Sequence, residues 1–152
     1  MQPLPDPPPS QLTDSAVMDE QSSFQIDNSE KFTLSDLEKL LIGNSSNKLF
    51  ILKFSATWCG PCKRIKTMAE EKMAKLMENH IDKVVCANID IDDNMDLYGQ
   101  LKTKKVVKGV PAILAYMGTE MQDPWYYPFD SVSGGNIDNI ENFFSRCEKK
   151  IE

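Results

Sequence analysis

The stretch FILKFSATWCGPCKRIK, Phe50 to Lys66, changes character halfway along. Its first half belongs to an apolar run, KLFILKF, bounded by polar residues. That is the pattern of a strand buried on both faces, as in a parallel sheet. The second half takes up helical spacing, and Ile65, Met68, Ala69, Met73, Leu76 and Met77 trace one face of a long helix. The methionines in that stripe read as core filling. Cys59 and Cys62 stand at the seam, and Lys53 places a charge inside the apolar run.

A Cys-x-x-Cys pair at a strand-to-helix junction has a specific chemical use. Unpaired N–H groups and the positive end of the helix dipole stabilise the thiolate of the first cysteine. The thiolate is the attacking species in disulfide exchange. A second thiol one helical turn on can attack the resulting mixed disulfide and release the reduced substrate. Pro61 suits a helix start, where no N–H is needed, and Gly60 lets the chain turn tightly between the sulfurs. Trp58 is expected to pack over the site and leave one flank open. A bare Cys-x-x-Cys would equally fit buried or metal-binding thiols; the strand–helix–strand setting and the Gly-Pro filling favour redox chemistry.

The rest of the chain alternates strands and helices. TLSDLEKLLIG reads as a helix with Thr33 and Asp36 at capping-box spacing and Gly43 at its exit. KVVCANIDI is a second buried strand, and DDNMDLYGQLKTKK a short helix opened by acids and closed by bases. GVPAILAYM is a third strand, joined around Gly118 to a fourth in WYYPFDSV. NIDNIENFFSRCEKKIE closes the chain as an amphipathic helix carrying Ile137, Ile140, Phe143, Phe144 and Cys147. This order gives an α/β fold with a central mixed sheet flanked by helices. Residues 1–22, rich in Pro, Asp, Ser and Gln, read as a disordered tail, and residues 23–152 as the folded domain, starting near a candidate edge strand at SFQID.

Composition sets further bounds. The 152 residues, 41% apolar, suffice for one core without disulfide staples. A net charge of −6 argues against a nucleic-acid binder and for a soluble monomer. No apolar run reaches the length of a membrane span, and MQPLPDPPPSQ lacks the marks of a signal peptide. The expected location is therefore the cytoplasm, with the nucleus as an alternative, and the Asn44-Ser45-Ser46 sequon carries no meaning there. Four cysteines with no second close pair give no disulfide framework and no zinc site. Cys86 and Cys147 read as buried fillers, with an intermolecular disulfide through a half-exposed Cys147 as the weaker alternative. Asp90, Asp92, Asp93 and Asp96 lack the glycine and terminal glutamate of a calcium loop and read as helix-start charge. His80 reads as a cap or surface residue.

FSATWCGPCKRIK resembles the active-site segment of the thioredoxin family, in its eukaryotic form. KGVPAILAY is similar to the segment that carries that family's cis-proline, and VVCANIDIDD to its central strand. The resemblance covers about residues 23 to 150 and implies a thioredoxin fold with dithiol–disulfide oxidoreductase activity. It implies Cys59 as nucleophile and Cys62 as resolving thiol. It makes Pro111 the cis-proline facing the disulfide, with Val110 offering backbone groups to an extended substrate. Trp58, Gly60 and Pro61 complete the substrate-binding set. No cofactor is implied beyond the redox-active cysteines. The partners are disulfide-containing proteins, with thioredoxin reductase or a small thiol as electron donor.

The chain also departs from that family. Lys53 stands where thioredoxins carry a buried aspartate that assists proton transfer at the resolving cysteine, and Cys86 stands where the adjacent strand usually has a lysine. A buried lysine must pair, lose its proton or carry its ammonium to water. Lys53 is thus either a modulator of proton transfer or a bystander whose flexible stem reaches solvent. Thr67 replaces a helix-kinking proline, so a straighter helix is expected. Two segments are longer than usual. One brings Lys102, Lys104, Lys105 and Lys108 close to Pro111, as solvated helix-end charge or as a basic rim selecting acidic partners. The other brings Trp125, Tyr126, Tyr127 and Phe129, expected as strand residues beneath the last helix. The competing functional class is a thioredoxin-fold binding or adaptor module with little reductase activity. A secretory oxidant or isomerase is disfavoured by the N-terminus.

Overall fold

The computed structural model describes residues 33–43 and 47–152. The candidate strand at SFQID, the tail and its boundary, and the Asn44-Ser45-Ser46 loop lie outside the described residues.

Helix α1 runs over Leu34–Gly43 and begins with the expected reciprocal cap. The Thr33 N–H donates to Asp36 Oδ2 and the Asp36 N–H to Thr33 Oγ1, each at 3.0 Å. Strand β1, Leu49–Ser55, leads into α2, Gly60–Asn79, and β2, Val84–Asp90. Helix α3, Met95–Thr103, then precedes β3, Ala112–Met117. A single 3₁₀ turn at Gly118–Glu120 and a loop lead to β4, Asp130–Ser133, and to α4, Ile137–Ile151. Among the described residues the sheet has four strands in the order β2-β1-β3-β4. The β1–β2 pair is parallel, and the other two pairs are antiparallel.

Burial explains why β1 reads as a continuous apolar run. Its first six residues are all buried, because helices cover both faces of the sheet. Phe50, Leu52 and Phe54 pack with Leu37 and Leu41 of α1 and Leu97 and Leu101 of α3. Leu49 and Ile51 pack on the other face with Ile65, Ala69 and Met73 of α2 and Phe143, Phe144 and Cys147 of α4. Each fully buried side chain of this size contributes roughly 1.5–3 kcal/mol. Helix α2 continues without a break through the exposed Thr67. His80 caps its far end, with the ring 3.1 Å from Glu148 of α4.

The structure corrects four expectations. Lys53 lies opposite Asn88 in the β1–β2 register, while Cys86 lies opposite Ile51, so the Lys/Cys neighbourhood becomes Lys/Asn. The fourth strand starts only at Asp130; Trp125, Tyr126 and Tyr127 lie in a turn before it. Phe129 alone of that group packs with the α2–α4 core, while Trp125 packs on the opposite core around α1 and α3. Ile137 occupies the first turn of α4 and is 48% exposed, outside the buried stripe. Cys147 is fully buried, which removes the intermolecular disulfide.

Candidate functional site

The end of β1 and the start of α2 form the site. Cys59 is the N-cap of α2, and its Sγ accepts the N–H of Cys62 at 3.1 Å. Pro61, in the first two turn positions, has no N–H to leave unsatisfied. Cys59 and Cys62 are joined in a disulfide with Cα atoms 5.2 Å apart, and both are almost wholly buried.

The third side of the site comes from the start of β3. The Val110–Pro111 peptide is cis, and the Val110 carbonyl oxygen lies 3.7 Å from Cys59 Sγ. The Pro111 carbonyl accepts the Gly134 N–H at 2.9 Å. That bond draws the β4–α4 loop against the cysteines. A Cβ on Gly135 would lie only 3.1 Å from Pro61 Cβ, so glycine is what permits the approach. Trp58 is 64% exposed beside the disulfide, and its indole N–H donates to Asp92 Oδ2 at 2.9 Å. Cys59, Gly60, Pro61, Cys62, Val110 and Pro111 are therefore brought together by the start of α2 and the entry to β3, with Trp58 in the β1–α2 turn tied to Asp92.

Lys53 lies deeper, 3% exposed on β1. Its ammonium does not reach open water; it lies 3.8 Å from Glu70 Oε2 on α2. Lys66 shares the same carboxylate at 3.6 Å. Burial pulls the Lys53 pKa down from its ordinary value, Glu70 pulls it back up, and Lys66 adds a smaller downward push. Across the strand pair, Asn88 Oδ1 is buried without a hydrogen-bond partner. Cys86 and Cys147 stay away from this chemistry: burial raises both thiol pKa values, that of Cys147 to about 12. Among the described residues no group of three or more His, Cys, Asp or Glu could hold a metal ion.

The sequence did not point to Glu70, Asp92, Gly134 or Gly135. A signal for Glu70 existed: it follows Ala69, a buried position two turns beyond Cys62. An acid bordering the buried stripe is placed to meet a charge on the underlying strand.

A disulfide-bonded Cys-x-x-Cys pair capping a helix, under a cis X-Pro peptide and on a four-stranded mixed sheet, defines a dithiol–disulfide oxidoreductase. The family model described as Thioredoxin matches residues 29–128. The thioredoxin of Ophiophagus hannah is 35% identical over 100 residues, covering 66% of this chain and 80% of that protein. Thioredoxin-1 of Caenorhabditis elegans is 38% identical over 77 residues, covering 51% of this chain and 62% of that one. Among solved structures, Fasciola hepatica thioredoxin superposes with a TM-score of 0.52 at 26% identity, covering 75% of this chain and 93% of that one. Schistosoma mansoni thioredoxin gives 0.56 at 24% identity, with coverages of 83% and 96%, and supports the fold. The chain belongs to the thioredoxin family.

Proposed function

We propose that Cys59 attacks protein disulfides and Cys62 resolves the mixed disulfide, with net reduction of the substrate. The observation that carries this assignment is the 3.1 Å contact from the Cys62 N–H to Cys59 Sγ at the start of α2. An N–H aimed at a sulfur lowers the free energy of its thiolate, and the helix dipole acts in the same sense. In the reduced protein the Cys59 thiolate attacks one substrate sulfur and expels the other as a thiolate. The Cys62 thiol, losing its proton, then attacks Cys59 Sγ and expels the second substrate sulfur. The substrate gains two electrons and two protons, and Cys59–Cys62 is oxidised.

In this reading Val110 and Pro111 hold an extended substrate segment against the cysteines, and Trp58, Gly60 and Pro61 form the rest of the contact. The electron donor is thioredoxin reductase or a small thiol, and the setting is the cytoplasm or nucleus. Lys53 modulates proton transfer around Cys62 as the buried cation nearest in sequence on the strand that feeds the site. Unchanged cysteine titration and turnover in Lys53→Met would remove that role.

Reduction of insulin by dithiothreitol tests the assignment. The wild type should accelerate it, Cys59→Ser should not, and Cys62→Ser should accumulate a mixed disulfide through Cys59. Equal rates for wild type and Cys59→Ser would overturn the reading.

A further inference from the structure

We propose that the end of α3 and the connector that follows it, residues 102–110, form a docking surface for acidic polypeptide segments. The Cys59–Cys62 centre would then favour disulfides flanked by aspartate and glutamate. The inference rests on the oxidoreductase reading of that centre and adds a substrate class to it.

The first observation is unbalanced charge. In a chain of net charge −6, Lys102, Lys104, Lys105 and Lys108 fall within seven residues that contain no carboxylate. None of the four takes part in the ion pairs formed among the described residues. Lys102, Lys105 and Lys108 are exposed.

The second observation is that the backbone beneath them is fixed by the loop before β4. The Tyr127 hydroxyl donates to the Lys104 carbonyl at 3.0 Å, and the Lys104 ammonium stands 4.7 Å from the centre of the Tyr126 ring. The Tyr126 carbonyl in turn accepts the Tyr116 hydroxyl from β3 at 2.8 Å. The two long segments of the sequence therefore form one unit. Val107 anchors the connector in the core at 3% exposure.

The third observation is Lys105 itself. It follows the cap of α3 with φ +64°, while the Val106 N–H closes back on the Leu101 carbonyl at 2.8 Å. This is the left-handed helix exit that glycine fills at least cost. A lysine there is unfavourable for the fold and keeps an exposed cation where a glycine would remove it. Lys108 stands two residues before Val110 in the chain, and the Val110 carbonyl lies 3.7 Å from Cys59 Sγ. Cations held on a rigid backbone act mainly by steering and orienting an acidic partner, in a manner that salt screens.

Two disulfide peptides of equal length, one flanked by glutamates and one by glutamines, provide the test, with dithiothreitol as reductant. At low ionic strength the ratio of kcat/KM for acidic over neutral peptide should be about tenfold, and it should fall towards one near 1 M salt, where the screening length is about 3 Å. In Lys102→Gln/Lys105→Gly/Lys108→Gln the ratio should be close to one at every salt concentration. Lys105→Gly alone should keep or raise Tm and still lower the ratio, an outcome a purely structural lysine would not give. Equal turnover of both peptides by the wild type, or a ratio that survives in the triple variant, overturns the docking surface and leaves the oxidoreductase reading intact. Failure to reduce either peptide overturns both.

Discussion

The ammonium of Lys53 and the carboxylate of Glu70 lie 3.8 Å apart, one on the buried strand β1 and the other on the half-open flank of α2. Glu70 divides its charge between Lys53 and Lys66, so the buried lysine is incompletely compensated. Replacing such a group with an apolar side chain of similar shape is commonly neutral or stabilising. Lys53→Met should therefore stabilise the fold at pH 7, by on the order of 1 kcal/mol. The sign of the pH dependence is fixed by burial. The folded-state pKa lies below the ordinary 10.5, so the unfolded chain binds the proton more tightly between those two values. The penalty is complete below the folded pKa and is relieved as pH rises from there towards 10.5. Urea denaturation at neutral and at high pH should show the advantage of Lys53→Met shrinking with pH; an advantage that widens would contradict this account.

Glu70→Gln leaves the same cation in place and takes away its carboxylate. Breaking a buried pair from one side costs more than removing it whole, because the remaining charge is stranded. Glu70 is half-exposed, so water softens the loss. We expect Glu70→Gln to be less stable than wild type and the double variant Lys53→Met/Glu70→Gln to recover most of the loss. The measurement is a double-mutant cycle on denaturation midpoints.

The β4–α4 loop offers a separate probe of site geometry. Gly134 has φ +90°, where a side chain is strained, and Gly134→Ala should cost about 1–2 kcal/mol of stability. Gly135 has no such constraint, but a methyl there would press on Pro61 at 3.1 Å. Gly135→Ala should therefore displace the start of α2 and lower insulin turnover several-fold, with less effect on Tm than Gly134→Ala. Equal turnover losses scaled only by stability would mean that Gly135 has no specific bearing on the cysteines.

Thiol labelling should set Cys59 apart from the two core cysteines, Cys86 and Cys147. Cys86 and Cys147 lie in the core with their thiols held protonated at neutral pH, whereas Cys59, at 5% exposure, lies at a helix N-terminus that favours its thiolate. Iodoacetamide should modify Cys59 in the folded, reduced protein and leave Cys86 and Cys147 untouched until denaturant is added. Rapid labelling of Cys147 in the folded state would show that the α4 face opens.

Most of the candidate site is legible in the sequence because its signals are local. The shift from a continuous apolar run to helical spacing marks β1 and α2, and Cys-Gly-Pro-Cys falls at the join. What could not be read depends on contacts distant in the chain. The register of β1 on β2 decides that Lys53 faces Asn88, and no short pattern encodes a one-pleat offset. Trp125, Tyr126 and Tyr127 have strand-like composition, yet they form a turn held by Lys104 and Tyr116, twenty-three and ten residues away for the two bonded pairs. Ile137 continues the helical period in the sequence, but it opens the first turn of α4 and stays 48% exposed, outside the buried stripe.

The sulfur of Cys59 is also the cap of α2, since it accepts the Cys62 N–H. Each turnover therefore rewrites the helix cap: a thiolate is a charged acceptor and strengthens it, whereas a disulfide sulfur is a neutral and weaker one. Redox state and fraying of the first turn of α2 are thermodynamically linked. Amide exchange at Cys62 and Lys63 should report the oxidation state of the protein without any probe on sulfur.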